Sequence, residues 1–175
     1  YEKTNFFDVC LDKVNYNIDL ISHSNVYTIT TGHQLNIFSS PLFLIYKIIS
    51  IINYSKYLNK NIKNCQFVPL FWMATDDHDF KEIQSFNLFN SKYEWDFVTK
   101  DVVGNLSTYG IHHLLNAIEG ILKTTSHGED LYNIYKYVYT KNSNYADANR
   151  SLLTSLFGEY GLVILDPNDK SLKKI

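Results

Sequence analysis

The stretch from Phe67 to Phe80 restricts the fold more than any other part of the chain. Its first half is apolar from Val68 to Ala74, which is typical of a strand buried on both faces of a parallel sheet. A carboxylate–imidazole cluster follows at once, formed by Asp76, Asp77, His78 and Asp79. In open α/β sheets, ligands bind at the carboxyl ends of the strands. The stretch therefore predicts a buried strand with a functional site at its end.

The segments before this stretch complete a strand–helix–strand unit. Val26–Thr31 is rich in β-branched residues and predicts a strand that stops at Gly32. A helix is predicted over Pro41–Leu58, with Ser40 as N-cap and the proline at the first helical position. Strands joined by such a helix lie parallel, with a right-handed crossover. The loop from Gly32 to Gln34 and the acidic cluster are therefore expected at one edge of the sheet.

The remaining residues predict more helices and one more strand. Helices are expected within residues 1–24 and over 111–123, 130–140 and 145–160, and a half-exposed strand over 93–98. The stretch 80–89 is ambiguous between a short helix and an edge strand. A third buried strand, Leu162–Leu165, ends at another carboxylate, Asp166. The region from about 93 to 140 breaks the β–α–β alternation, and we interpret it as an insertion.

Composition excludes several classes of protein. The net charge is −2 and Arg150 is the single arginine, so neither a nucleic-acid partner nor an arginine-rich phosphate site is predicted. Cys10 and Cys65 form no CxxC pair, which argues for free thiols in a reducing compartment. The first residues lack the apolar segment of a signal peptide, and no apolar run is long enough to cross a membrane. A cytoplasmic protein without a membrane partner is expected.

The acidic cluster has two chemical interpretations beside a structural one. His78 and its carboxylate neighbours could form an acid–base pair, or the cluster could bind a divalent metal. Alternatively, it is a solvated turn that caps the next helix. The sequence Thr31-Gly32-His33-Gln34 matches neither a dinucleotide-binding nor a Walker motif. His33 and Gln34 could form hydrogen bonds with a ligand, or the segment could simply connect a strand to a helix.

Three blocks of sequence together resemble a known family. They are TGHQLNIFSSPLF at 31–43, FVPLFWMATDDHDF at 67–80 and LFGEYGLVILD at 156–166. In combination they resemble the bacillithiol biosynthesis cysteine-adding enzymes, the BshC family. The resemblance implies an α/β fold: a Rossmann-like parallel sheet, similar to the core of class I aminoacyl-tRNA synthetases, with a mostly helical insertion.

The resemblance also implies a reaction, which is the joining of cysteine to glucosaminyl-malate in the last step of bacillithiol synthesis. Such an amide-forming ligase implies ATP or another nucleotide, with no metal site beyond Mg²⁺. His78 would act in proton transfer, and Asp77 and Asp79 would orient it or the attacking amine. The residues expected to bind substrate or nucleotide are Thr31, Gly32, His33, Gln34, Asn36, Ser40, Asp76 and Asp166.

By the same resemblance, residues 1–175 form only part of a ligase core. The second half of the core, and the coiled coil through which the family would form a homodimer, are expected outside this chain. Two alternatives stay open on the residues alone. One is a metal-dependent hydrolase that uses the cluster Asp76–Asp79, and the other is an inactive truncated core that only packs against a partner.

Overall fold

A computed structural model describes residues 11–174 of the 175-residue chain. The helices are α1 (Leu11–Ile21), α2 (Leu42–Asn61), α3 (Phe80–Ile83), α4 (Ile111–Leu122), α5 (Ser126–Lys141) and α6 (Tyr145–Phe157). The strands are β1 (Val26–Gln34), β2 (Gln66–Ala74), β3 (Ser85–Leu88), β4 (Ser91–Glu94) and β5 (Val163–Leu165). The helix predicted near the N-terminus is seen as α1, and its earlier residues lie outside the described part. Among the described residues Cys65 is a free thiol, whereas Cys10 lies outside them.

Strands β1, β2 and β5 form one parallel sheet in the order β1-β2-β5. The pairing of β1 with β2 runs from Val26 opposite Gln66 to Gln34 opposite Ala74. This sheet, with helix α2 as the crossover, confirms the predicted Rossmann-like α/β class. Because parallel neighbours end on the same side, the carboxyl ends of β1 and β2 lie together at one edge.

The prediction that β1 stops at Gly32 was wrong. The strand continues to Gln34, with Gly32 opposite Trp72 and His33 opposite Met73. Glycine often ends a strand, but here the pairing with nine residues of β2 keeps the backbone extended. A Cβ atom on Gly32 would lie 3.3 Å from the Cβ of Trp72, so the close packing of these two residues favours glycine. Gly32, His33 and Gln34 are therefore strand residues rather than a loop.

The predicted start of α2 was also wrong, by one residue. Pro41 is the N-cap in extended conformation, and no side chain caps the helix. The first turn closes with Leu44 N–H donating to Pro41 O at 2.9 Å. Before it, Phe38 and Ser39 adopt left-handed φ angles of 53° and 54°, which set the direction of the chain into the helix. Ser40 is thus a linking residue and not a helix cap.

The region after β2 contains both elements that the sequence left ambiguous, the short helix α3 and the strand β3. Strand β3 forms an antiparallel hairpin with β4. The strand predicted over Tyr93–Val98 was wrong, because pairing ends at Glu94. Trp95 is 1% exposed, and its indole N–H donates to Tyr109 O at 2.9 Å. The Trp95 backbone N–H still donates to Gln84 O at 2.7 Å, and pairing stops there because the helix α3 precedes Gln84.

The sheet has a large core on one face and a small one on the other. Ile48, Ile51 and Ile52 of α2 belong to the larger cluster together with Phe71 and Met73 of β2. The smaller cluster contains Val68, Leu70 and Val163, with Leu20, Val26 and Leu165 packed against it. Burial of β2 on both faces is confirmed except at Trp72, which is 43% exposed near the carboxyl end. Within residues 11–174, no helix has the length and apolar character needed to cross a membrane.

Candidate functional site

The ends of β1 and β2 are joined by the side chain of Gln34. Its amide nitrogen donates to Asp77 Oδ2 at 2.7 Å and to Glu82 Oε2 at 2.9 Å. The parallel register brings Gln34 beside Ala74, and the turn after β2 returns Asp77 toward it. The two stretches singled out in the sequence therefore meet at one edge of the sheet. Glu82 was not predicted, because its contact depends on the short helix α3, which the sequence did not distinguish from an edge strand.

Asp77 is the anchored member of the acidic cluster. Its Oδ1 accepts the backbone N–H of Asp79 at 2.9 Å, and its backbone carbonyl accepts Val103 N–H at 2.7 Å. The Asp79 N–H, followed by the Gln34 amide, lowers the pKa of Asp77, because both donors stabilise the carboxylate. Asp77 is therefore ionised at neutral pH, and each of its carboxylate oxygens already accepts a hydrogen bond.

His78 and Asp79 line an open pocket of about 440 Å³. The other lining residues include Lys81, Phe97 and Thr99, from α3 and from the loop after β4. Both His78 and Asp79 are exposed, as is Asp76 in the preceding turn. The cluster thus divides, since Asp77 bonds to β1 while His78 and Asp79 border a space that a ligand could enter.

A lysine from α2 lies beside the edge of β1. Lys47 Nζ donates to the carbonyl of Gly32 at 2.9 Å and lies 4.9 Å from the centre of the Phe43 ring. Helix α2 packs on the sheet so that the ammonium group reaches the carboxyl-terminal part of β1. The spacing of Phe43 and Lys47, one helical turn apart, was the available signal.

His33 is held by Asn36 next to this lysine. The side-chain nitrogen of Asn36 lies 3.0 Å from His33 Nδ1 and 3.0 Å from Gln34 O. Burial lowers the pKa of His33; the Gln34 carbonyl opposes this effect, and the positive charge of Lys47 adds to it. His33 is therefore a neutral imidazole at pH 7.

This lowered pKa predicts a pH dependence of stability. The unfolded chain binds a proton at the ordinary histidine pKa of 6.5, whereas the folded chain binds it only at lower pH. The contribution of His33 to the free energy of unfolding is thus complete above pH 6.5 and is lost as pH falls through the folded pKa. Urea unfolding of wild type and His33→Gln from pH 5 to 7.5 measures it. We expect the difference in stability to rise with pH, and a constant difference would contradict the shift.

Three of the predicted binding residues take no part in the hydrogen bonds that join Gln34 to Asp77. The Asp166 carboxylate accepts hydrogen bonds from the Arg150 guanidinium at 2.8 Å and from the Asn168 N–H at 2.9 Å. It also accepts one from the Thr75 hydroxyl. These bonds hold the turns after β2 and β5. Ser40 lines a separate apolar groove with Leu42 and other residues. Thr31 is a strand residue opposite Phe71. Their roles in binding stay predictions.

The described residues at this edge of the sheet provide no set of metal ligands. Within residues 11–174, no three His, Cys, Asp or Glu side chains are grouped to hold a metal ion. The physical reason is local, because Asp77 turns toward Gln34 while His78 and Asp79 border the pocket. The described residues therefore do not support the metal-dependent hydrolase alternative.

A family profile and several named proteins match this chain in sequence. The profile described as "Bacillithiol biosynthesis BshC, N-terminal Rossmann-like domain" matches residues 2–175. A relative from Flavobacterium johnsoniae is 45% identical over 163 residues, which is 93% of this chain and 31% of that protein. A relative from Christiangramia forsetii is 41% identical over 162 residues, covering 90% of this chain and 30% of its own length. A relative from Bacillus cereus is 29% identical over 167 residues, which is 91% of this chain and 31% of that protein.

The names of these relatives assign them provisionally as cysteine ligase BshC. The chain spans less than a third of the length of each of them. The match nevertheless includes the ends of β1 and β2, with Gln34 and Asp77, because the family profile runs from residue 2 to residue 175. The chain therefore belongs to the BshC family, as its N-terminal Rossmann-like domain.

Proposed function

We propose that this chain is the Rossmann-like part of a ligase that adds cysteine to glucosaminyl-malate in the last step of bacillithiol biosynthesis. Family membership and the names of the relatives support the reaction class. The structural observation that carries the proposal is the bond between Gln34 and Asp77. It unites the ends of two parallel strands and places the neighbours of both residues, His33 and His78, at one edge of the sheet.

The reaction forms an amide between the cysteine carboxyl carbon and the sugar amine. A nucleotide such as ATP supplies the leaving group that makes the carboxyl carbon electrophilic. As the C–N bond forms, the bond to the leaving group breaks and the amine must lose a proton. We assign His78 as the acceptor of that proton, because its side chain borders the open pocket. Asp79 lines the same pocket, and we assign it the role of orienting the imidazole or the amine.

The residues near β1 suit an anionic group of the substrate or nucleotide. Lys47 brings a positive charge to the Gly32 carbonyl, and His33 contacts Phe43 at the start of α2 with a ring separation of 6.3 Å. The first backbone N–H groups of a helix favour anions. Arg150 is committed to Asp147 and Asp166, so phosphate binding by this chain would depend on Lys47 and backbone donors.

We also propose the partners of this protein and its location in the cell. The substrates are small molecules, namely cysteine and glucosaminyl-malate, and synthesis takes place in the cytoplasm. A homodimer would form through a coiled coil that belongs to the remainder of the protein. The relatives are about three times as long as this chain, so the complete reading frame is the correct material for assays.

Product formation tests the proposal directly. The full-length protein that contains this chain is incubated with cysteine, glucosaminyl-malate and ATP, and the products are separated by mass. We expect the cysteinyl amide only when all three are present. Absence of that product, while the protein is folded, would refute the ligase function. The metal-hydrolase alternative instead predicts a rise in melting temperature with Mn²⁺ or Zn²⁺ that is lost in Asp77→Ala.

A further inference from the structure

The carboxamide of Asn36 has an orientation that its neighbours determine. Asn36 is 8% exposed, and one end of its amide lies 3.0 Å from both Gln34 O and His33 Nδ1. A backbone carbonyl can only accept a hydrogen bond. The atom that faces Gln34 O must therefore be the NH₂ group, since an oxygen there would be repelled.

The same NH₂ group lies 3.0 Å from His33 Nδ1 and has a second hydrogen to donate. An amide nitrogen has no lone pair to offer, so a hydrogen bond between these two atoms requires an Nδ1 that accepts and carries no proton. The ring is then neutral, with its hydrogen on Nε2. The competing contact, from Nδ1 to Gln34 O, would require a proton on Nδ1 and is longer, at 3.3 Å. Burial of the ring also lowers the pKa of His33 and favours the neutral form.

We propose that Asn36 is a positioning residue that holds His33 as the neutral Nε2–H tautomer, so that His33 donates a hydrogen bond to an oxyanion of the ligand. The identity of that ligand rests on the proposed ligase function, whereas the tautomer does not. Lys47 brings an ammonium group to the same end of β1. An imidazole N–H and an ammonium group at one end of a strand suit a phosphate or carboxylate oxygen. His33 is thus a hydrogen-bond donor here, and His78 is the proton acceptor.

The charged groups around His33 fit this arrangement. Lys47, on α2, disfavours the imidazolium form of His33. Asp77, in the turn after β2, and Glu82, on α3, both accept hydrogen bonds from the Gln34 side chain. Their charges are therefore bound by a neighbouring residue and not by the imidazole ring. Asn36 is the side chain that contacts Nδ1, so its replacement by aspartate should change the tautomer of His33 most directly.

Nitrogen NMR of histidine-labelled protein tests the tautomer. The full-length protein is labelled with ¹⁵N-histidine, and the His33 signals are assigned by their loss in His33→Gln. We expect wild type to show an unprotonated Nδ1 and a protonated Nε2 at pH 7. Asn36→Asp should reverse this pattern and raise the pKa of His33 by about 1 to 3, because a carboxylate accepts from Nδ1–H. Asn53→Asp, at an exposed position of α2, is the matched control and should leave the His33 signals unchanged.

Ligand additions separate the two sources of oxyanion. ATP offers phosphate oxygens and cysteine offers a carboxylate, and each is added separately to wild type. A shift of the Nε2–H signal with either ligand supports the donor role and identifies the oxyanion. No shift with either ligand would refute that role, even if the tautomer is as expected. A protonated Nδ1 in wild type would overturn the tautomer itself.

Activity of the full-length protein gives a second and independent test. If Asn36 acts only through His33, a substitution of Asn36 should not change the activity of a protein that lacks His33. We therefore expect Asn36→Asp to lower kcat/KM at least tenfold in wild type and to cause no further loss in His33→Gln. Equal losses in both backgrounds would refute the positioning role. If the full-length protein forms no amide at all, the ligase proposal fails while the NMR result still decides the tautomer.

Discussion

Replacing His78 with alanine in the full-length protein is expected to lower kcat/KM by about 10²- to 10⁴-fold, the usual contribution of a general base. His78 borders the open pocket beside Asp79, whereas Asp77 is bonded to Gln34. The imidazole is thus the nitrogen base of this cluster that borders the pocket, where it can take the proton of an attacking amine. Steady-state assays of amide formation with saturating ATP measure the effect.

The controls separate chemistry from folding. His112 is an exposed histidine on α4, so His112→Ala makes the same change away from the site and should leave kcat/KM unchanged. His78 is itself exposed, so its truncation should leave the melting temperature near that of wild type. Added imidazole should restore part of the lost rate. Full activity in His78→Ala would remove this residue from the mechanism and leave proton transfer to water or to another group.

Replacing Gly104 with alanine is expected to destabilise the fold by about 1–3 kcal/mol, the range for overpacked cores. A Cβ atom there would lie 2.6 Å from the Cβ of Thr75 and 2.7 Å from its carbonyl oxygen. Thr75 is fully buried, and its carbonyl accepts the Gly104 N–H at 2.9 Å. Neither partner can move without breaking this bond, so the added methyl group must displace the turn that carries Asp77.

Urea unfolding of the full-length protein measures this loss, and Gly120 provides the matched control. Gly120 lies in α4, and no atom lies within 4 Å of its added Cβ. Gly120→Ala should therefore stabilise the chain by about 0.5–1 kcal/mol, the usual gain for this change in a helix. Opposite signs for the two substitutions would support the close packing at Thr75. Equal stability of Gly104→Ala and wild type would show that the turn tolerates displacement.

The sequence was informative about elements whose hydrophobic pattern is strong. The apolar run of β2 and the β-branched run of β1 predicted strands, and the helix between them implied parallel pairing. That topology also predicted that the segment Gly32–Gln34 and the acidic cluster lie at one edge of the sheet. Where pattern and packing compete, the predictions were wrong. β1 continues past Gly32 because β2 offers partners, and the strand predicted at Tyr93–Val98 ends early because its partner β3 is preceded by the helix α3.

The individual contacts of the site could not be read from the sequence. Glu82 reaches Gln34 only because α3 forms directly after the acidic turn. Lys47 reaches the Gly32 carbonyl only because α2 packs at one particular rotation on the sheet. Asn36 looked like one polar residue among several, and its contact with His33 depends on how the chain bends between β1 and α2. Such contacts depend on positions at the scale of one ångström, which no local pattern encodes.

Local sequence was therefore sufficient for the parallel strands, for the sheet edge that holds the acidic cluster and for the resemblance to BshC, because each depends on residue type and spacing along the chain. Tertiary packing decided which carboxylate is anchored, which histidine borders the pocket and which tautomer the other histidine adopts. The physical reason is that hydrogen bonds are short and directional, so they are settled only when distant segments come together.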